Sequence, residues 1–166
     1  DFGGFPPALY QLQYPAPGSS ELAREVLDLL HGAGIAAEGD AKRPFDHGAW
    51  VPLMHLFPQA DVPVVQLALP QHAGPAEVFA LGAAVQSLRR QGVLVVGSGS
   101  MTHNLSEFFG GEREPAPYVL ASSRWIAATL ARGDRAALLD YRLQSPQAGR
   151  ARTPGSVSST LSSTAM

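Results

Sequence analysis

The 166 residues are 45% hydrophobic and 16% charged, which suits one domain with a core of its own and excludes an acidic disordered chain. A formal net charge of -2 removes the basic stripe a nucleic-acid binder needs, and no apolar run reaches the ~18 residues of a transmembrane helix. There is no cysteine, so a disulfide framework, a thiolate zinc site and a cysteine nucleophile are excluded; any metal ligands must be His, Asp or Glu. No signal segment is visible, and the cytoplasm is the default compartment. The first residue is Asp rather than Met, so the chain is expected to be a fragment.

Residues 1–18 are rich in Gly, Pro and aromatics and read as an extended loop with turns. Ser19 or Ser20 then caps a helix carrying Leu22, Val26, Leu29 and Leu30 at helical spacing, ended by Gly32 and Gly34. Residues 35–38 read as a short strand and 39–48 as turn. Trp50 to Phe57 is a short helix or turn closed by Pro58. Val62 to Leu69, VPVVQLAL, reads as a strand covered on both faces. Pro75 to Gln91 is a helix with a Val78, Leu81, Val85, Leu88 stripe, and VLVVGSGS (93–100) is a second buried strand. Strand, helix, strand over about 35 residues is a βαβ unit, so an α/β fold with a mostly parallel sheet and flanking helices is expected. A helix over 117–132, with Trp125 and Leu130 on one face, and a shorter one over 134–143 follow. Residues 1–150 read as one domain. Residues 151–166, low in complexity and rich in Ser and Thr, read as a disordered tail and a candidate frame-shifted end.

Two stretches could carry chemistry. Gly97-Ser98-Gly99-Ser100 ends the second strand and leads to Thr102, His103 and Asn104. Open α/β sheets bind ligands at the carboxyl ends of strands, and a histidine there suits general acid/base work near neutral pH. A strand-end turn with a solvated His is the plainer alternative. In Phe45-Asp46-His47-Gly48-Ala49-Trp50, a carboxylate neighbours an imidazole and Trp50 could wall an aromatic pocket; a loop anchored by a buried Trp is the alternative. His31 suits a helix C-terminus, His55 a surface or packing role, and His72 lies in a loop. No P-loop, GxSxG, HExxH or EF-hand pattern occurs.

Three blocks, DFGGFPPALYQLQYPAPG (1–18), FDHGAWVPLMHLFPQADVPVVQLAL (45–69) and VLVVGSGSMTHNL (93–105), resemble the class III extradiol ring-cleavage dioxygenases. The resemblance is to the family of the LigB catalytic subunit and, within it, to the 4,5-DOPA dioxygenase branch, and it runs to about residue 145. It implies a parallel-sheet α/β fold, incomplete here at its N-terminus, and a mononuclear non-haem Fe(II), with zinc recorded for some members. It also implies a catechol and O2 as substrates, and ring opening beside the diol to a semialdehyde. His103 matches the histidine that takes a proton from the catechol and later returns one. His47 matches a second active-site histidine that contacts substrate or bound oxygen. Asn104 and Trp50 are taken with it as substrate-binding residues. Asp1 falls just after a histidine the family often carries.

The departures concern the metal. In this branch two ligand histidines come from HGSP-like and SAHW-like motifs before DFGGFP, and the third from a PTPEHxLPL-like C-terminal segment. None of the three is in this sequence, so no metal ligand is assigned. The isolated chain is expected to hold Fe(II) weakly and to lack ring-cleaving activity. A non-catalytic binding protein on the same fold, as in the Memo-like members, or a pseudoenzyme is the alternative; a metal-dependent hydrolase is a third, and it would need the same missing ligands. Arg124, Arg43 and Lys42 are cations that could meet a substrate carboxylate. A small-molecule catechol is the expected partner, with no nucleic acid or membrane, and the sequence leaves room for a homodimer.

Overall fold

The first helix shows how local chemistry sets the elements. Ser19, in an extended conformation, accepts the Leu22 amide at 3.1 Å through Oγ and so caps α1 (Ser20–Gly32). Val26 and Leu30, four residues apart on one face, are buried. In this computed structural model the described residues are 7–70, 72–99, 101–102, 104, 107, 110, 114–149 and 162–165. A 3-10 turn (Pro7–Gln11) precedes α1. The chain continues through α2 (His47–Leu56), β1 (Val65–Leu67), α3 (Pro75–Val85), a 3-10 turn (Gln86–Gln91) and β2 (Val95–Ser98). Then come α4 (Pro117–Ala131), α5 (Arg135–Leu139), α6 (Tyr141–Gln144) and β3 (Ser162–Ala165).

Helices and strands together make an α/β chain, but the ladder differs from the expected one. β3 lies between β1 and β2 and pairs antiparallel with both, Val65 and Val95 each opposite Ala165. β1 and β2 therefore run the same way without pairing with each other. The tail was expected to lack packed structure; over Ser162–Ala165 its backbone forms a strand. Backbone N–H and C=O groups on β1 and β2 need partners, and a segment free of proline can supply them whatever its side chains. Both other strands are shorter than VPVVQLAL and VLVVGSGS suggest, and their residues are mostly half-buried rather than covered on both faces. Residues 35–38 form no strand, and the His31 ring lies 2.9 Å from the Ala37 carbonyl. The helix expected over 75–91 tightens into the 3-10 turn at Gln86 and ends at Gly92. That residue's φ of 82° is left-handed and suits glycine, and the Val93 amide folds back to the Leu88 carbonyl at 3.2 Å.

Contacts divide the chain into two compact units, one of residues 1–69, 81–99 and 160–166, the other of 70–80 and 100–159. In the first, Val26 and Leu30 of α1 pack with Leu81, Val85 and Leu88, and Leu67 and Val95 join them from the strands. A second cluster forms around Leu53 of α2 and Val64, joined by Val96, Phe45, Phe57 and Tyr14. Val95 and Val96 are neighbours in one strand and so face opposite ways, which puts the two clusters on opposite faces of the sheet.

Tyr14 donates its hydroxyl to the Phe57 carbonyl at 2.9 Å. Burial, and then the Asp61 carboxylate, push its phenol above its ordinary value. The folded state thus disfavours the phenolate. The stabilisation from Tyr14 is complete below the unfolded value of about 10 and is lost as pH rises through the raised folded value. Tyr14→Phe is expected to flatten the alkaline decline of the urea midpoint; an unchanged alkaline limb would show that another group sets it.

In the second unit, α4 buries Tyr118, Ser122 and Thr129, and Trp125 lies on the same stripe. Leu130, expected beside Trp125, is 57% exposed: five positions on, it has turned away from that face. Ser122 donates to the Pro146 carbonyl at 2.7 Å, tying the segment after α6 to α4. Asp134 caps α5 by accepting the Ala137 amide at 3.0 Å. The Arg135 guanidinium lies 4.1 Å from the Phe79 ring centre. Among the described residues no helix is long and apolar enough to cross a membrane.

Candidate active site

The FDHGAW block is the start of a helix. α2 begins at His47, three residues before the Trp50 start that the sequence suggests, because Asp46 is extended and caps it. Asp46 Oδ1 accepts the Ala49 amide at 3.1 Å, and the Asp46 carbonyl accepts the Trp50 amide at 3.0 Å. Ala49 and Leu53 are the buried residues of α2, and Trp50 is half-buried, so a buried Trp does not anchor this segment. Pro52 stands inside the helix.

The other end of this anchor is on β1. The Asp46 amide donates to Gln66 Oε1 at 2.9 Å, and Gln66 Nε2 donates to Asp46 Oδ2 at 3.1 Å. The carboxylate next to His47 in sequence is therefore engaged with the helix amide and with a strand residue 20 positions away. Sequence reasoning passed over Gln66. Its signal was available: it is the one polar residue in VPVVQLAL, and a polar side chain in an apolar strand needs a partner. Asp46→Ala removes the cap and strips Gln66 of an acceptor. We expect a loss of about 2 kcal/mol in urea unfolding, against about half that for Asp46→Asn, which keeps the cap oxygen. Equal losses for the two variants would mean that the cap contributes nothing.

The structure brings His47 and Trp50 together on the first turns of α2. His103 lies outside the described residues, as does Asp1. Asn104 belongs to the second unit, where its Oδ1 accepts the Glu107 amide at 3.4 Å, a long contact. The Glu107 carboxylate in turn accepts the hydroxyl of buried Tyr118 at 2.7 Å. Gly97 and Ser98 are the last residues of β2 rather than part of a turn, and Gly99 follows its carboxyl end. His55 and His72 are exposed, as are Lys42, Arg43 and Arg124. Among the described residues, no three His, Asp or Glu side chains come together to hold a metal ion.

Residues 1–144 match the family described as the catalytic LigB subunit of aromatic ring-opening dioxygenase. The chain is 42% identical over 147 residues to a Beta vulgaris protein named 4,5-DOPA dioxygenase extradiol, covering 88% of this chain and 55% of that protein. It is 38% identical over 131 residues to the Escherichia coli (strain K12) protein of the same name, covering 78% and 48%. Against dioxygenase tasH of Hapsidospora irregularis it is 36% identical over 137 residues, covering 77% and 42%. The chain thus spans about half the length of the curated relatives it matches. With 144 residues matched, it belongs to the family of the catalytic LigB subunit of aromatic ring-opening dioxygenase.

Proposed function

We propose that this chain is part of an extradiol dioxygenase that opens a catechol ring beside the diol, with L-DOPA the first substrate to try. The observation that carries the reading is the family match over residues 1–144, joined by relatives named 4,5-DOPA dioxygenase extradiol. Both atoms of O2 enter the semialdehyde, so the reaction needs no external reductant. A non-haem Fe(II), when bound, supplies the activation of oxygen. In this reading His103 takes a proton from a catechol hydroxyl and returns one later in the reaction. His47 contacts substrate from the first turn of α2, Trp50 walls the ring, and Asn104 adds a polar contact. We further propose that the 166 residues alone hold Fe(II) weakly and turn over no catechol.

The test supplies Fe(II), L-DOPA and 18O2 to this chain and to a version extended at both ends. A yellow product carrying two labelled oxygen atoms is expected from the extended protein only. Turnover by the short chain refutes the inactivity proposal. An extended protein that binds iron tightly yet yields no ring-opened product sinks the dioxygenase reading and leaves the non-catalytic binding protein.

A further inference from the structure

We propose that Gln66 is a positioning residue: from the middle of β1 it sets the placement of His47 by gripping both the backbone and the side chain of Asp46. The inference deepens the dioxygenase reading and rests on it for the role of His47. Its own evidence is geometric. A single glutamine amide satisfies two groups of one residue: Oε1 accepts the Asp46 N–H at 2.9 Å and Nε2 donates to Asp46 Oδ2 at 3.1 Å. The remaining carboxylate oxygen holds the Ala49 amide. The residue just before His47 is therefore held from the strand as well as from its own helix.

The strand is the firmer partner. Gln66 lies at the centre of β1, opposite Thr164 in the ladder; Leu67 beside it and Val64 just before the strand pack into the two hydrophobic clusters. α2 is the weaker one, because Pro52 offers no N–H to the first turn. Its own hold on Asp46 is through the Ala49 and Trp50 amides, and the burial of Ala49 and Leu53 keeps the helix against the core. A leucine or methionine would suit the apolar strand equally well, so the glutamine is explained by what it grips.

The chemistry permits a swap that exchanges the acid and the amide between the two positions. Gln66→Glu loses the donor to Asp46 Oδ2 and sets two carboxylates against each other. Asp46→Asn combined with Gln66→Glu restores complementarity. The introduced asparagine keeps an oxygen for the Ala49 amide and gains an NH2 that donates to one oxygen of the introduced glutamate. The other glutamate oxygen accepts the backbone N–H of position 46.

The experiment is an NMR comparison of the 166-residue chain with both variants, reading the His47 imidazole resonances and the exchange rate of the Ala49 amide. Gln66→Glu is expected to displace the His47 resonances and to speed Ala49 exchange by about tenfold or more, and the double variant to return both to near the wild-type values. A Gln66→Glu protein that only melts earlier, with His47 and Ala49 unmoved, overturns the proposal, since a purely structural role would give that result. If the single variant does not fold, the double variant decides alone: a wild-type His47 spectrum supports the linkage, and a displaced one overturns it. Turnover by the extended protein separates the two ideas. No loss of activity in His47→Ala sinks the catalytic reading of His47, whatever the spectra show about its link to Gln66.

Discussion

His103→Ala is expected to lower ring-opening turnover by about 10²–10⁴-fold, the usual contribution of a positioned general acid/base. The proposed reaction asks one group to accept a proton from a catechol hydroxyl and to give one back, and an imidazole titrating near neutral pH can do both. The MTHNL block follows the carboxyl end of β2, where open α/β sheets gather their ligands. The loss should fall on kcat more than on KM, because the proton moves in the transition state while binding is carried by other contacts. One arm of the pH profile of kcat should go with it. The measurement is steady-state kinetics on the extended protein across pH, and a drop in kcat below about tenfold with both arms intact would assign proton transfer elsewhere.

Leu88→Ala is expected to destabilise the chain by about 3 kcal/mol, within the range for emptying a leucine-sized space in a core. Leu88 is fully buried and packs with Val26, Leu30, Leu81 and Val85. Three segments meet there, α1, the end of α3 and the 3-10 turn after it, so no single side chain can move in to fill the hole. Total stabilities of about 5–15 kcal/mol make this a large fraction. Leu143→Ala is the control: its side chain is 84% exposed and its loss should change stability by no more than about 0.5 kcal/mol. Urea midpoints for the two variants check the contrast, and equal midpoints would show that the Leu88 cluster does not hold the fold.

Local chemistry was readable in advance where one residue decides the outcome. Ser19 caps α1 as its sequence position suggests, and Gly92 ends the 3-10 turn after α3. The stripe of Leu81, Val85 and Leu88 forms part of the core as its spacing implies. What was not readable depends on partners distant in sequence. Nothing local to VPVVQLAL or VLVVGSGS says that Ser162–Ala165 will lie between them, because backbone pairing leaves no mark in side-chain pattern. Leu130 is apolar, yet helical geometry turns it away from the stripe of Tyr118, Ser122 and Thr129. At the candidate site, Asp46-His47 was visible as a pair, but the partner of Asp46 lies 20 residues on. A lone glutamine among valines and leucines was the clue, and it points to need of a partner without naming one.

Pro52 gives α2 a fault line. The carbonyl of Gly48 receives no N–H from position 52, so the helical ladder is interrupted within its ten residues. Cooperativity in a helix is passed along by its successive bonds. When the exposed His55 and Leu56 end frays, the loss stops at the proline and does not unzip the turn that carries His47. That turn answers to β1 through Gln66, so heat should loosen the two ends of one short helix at different temperatures.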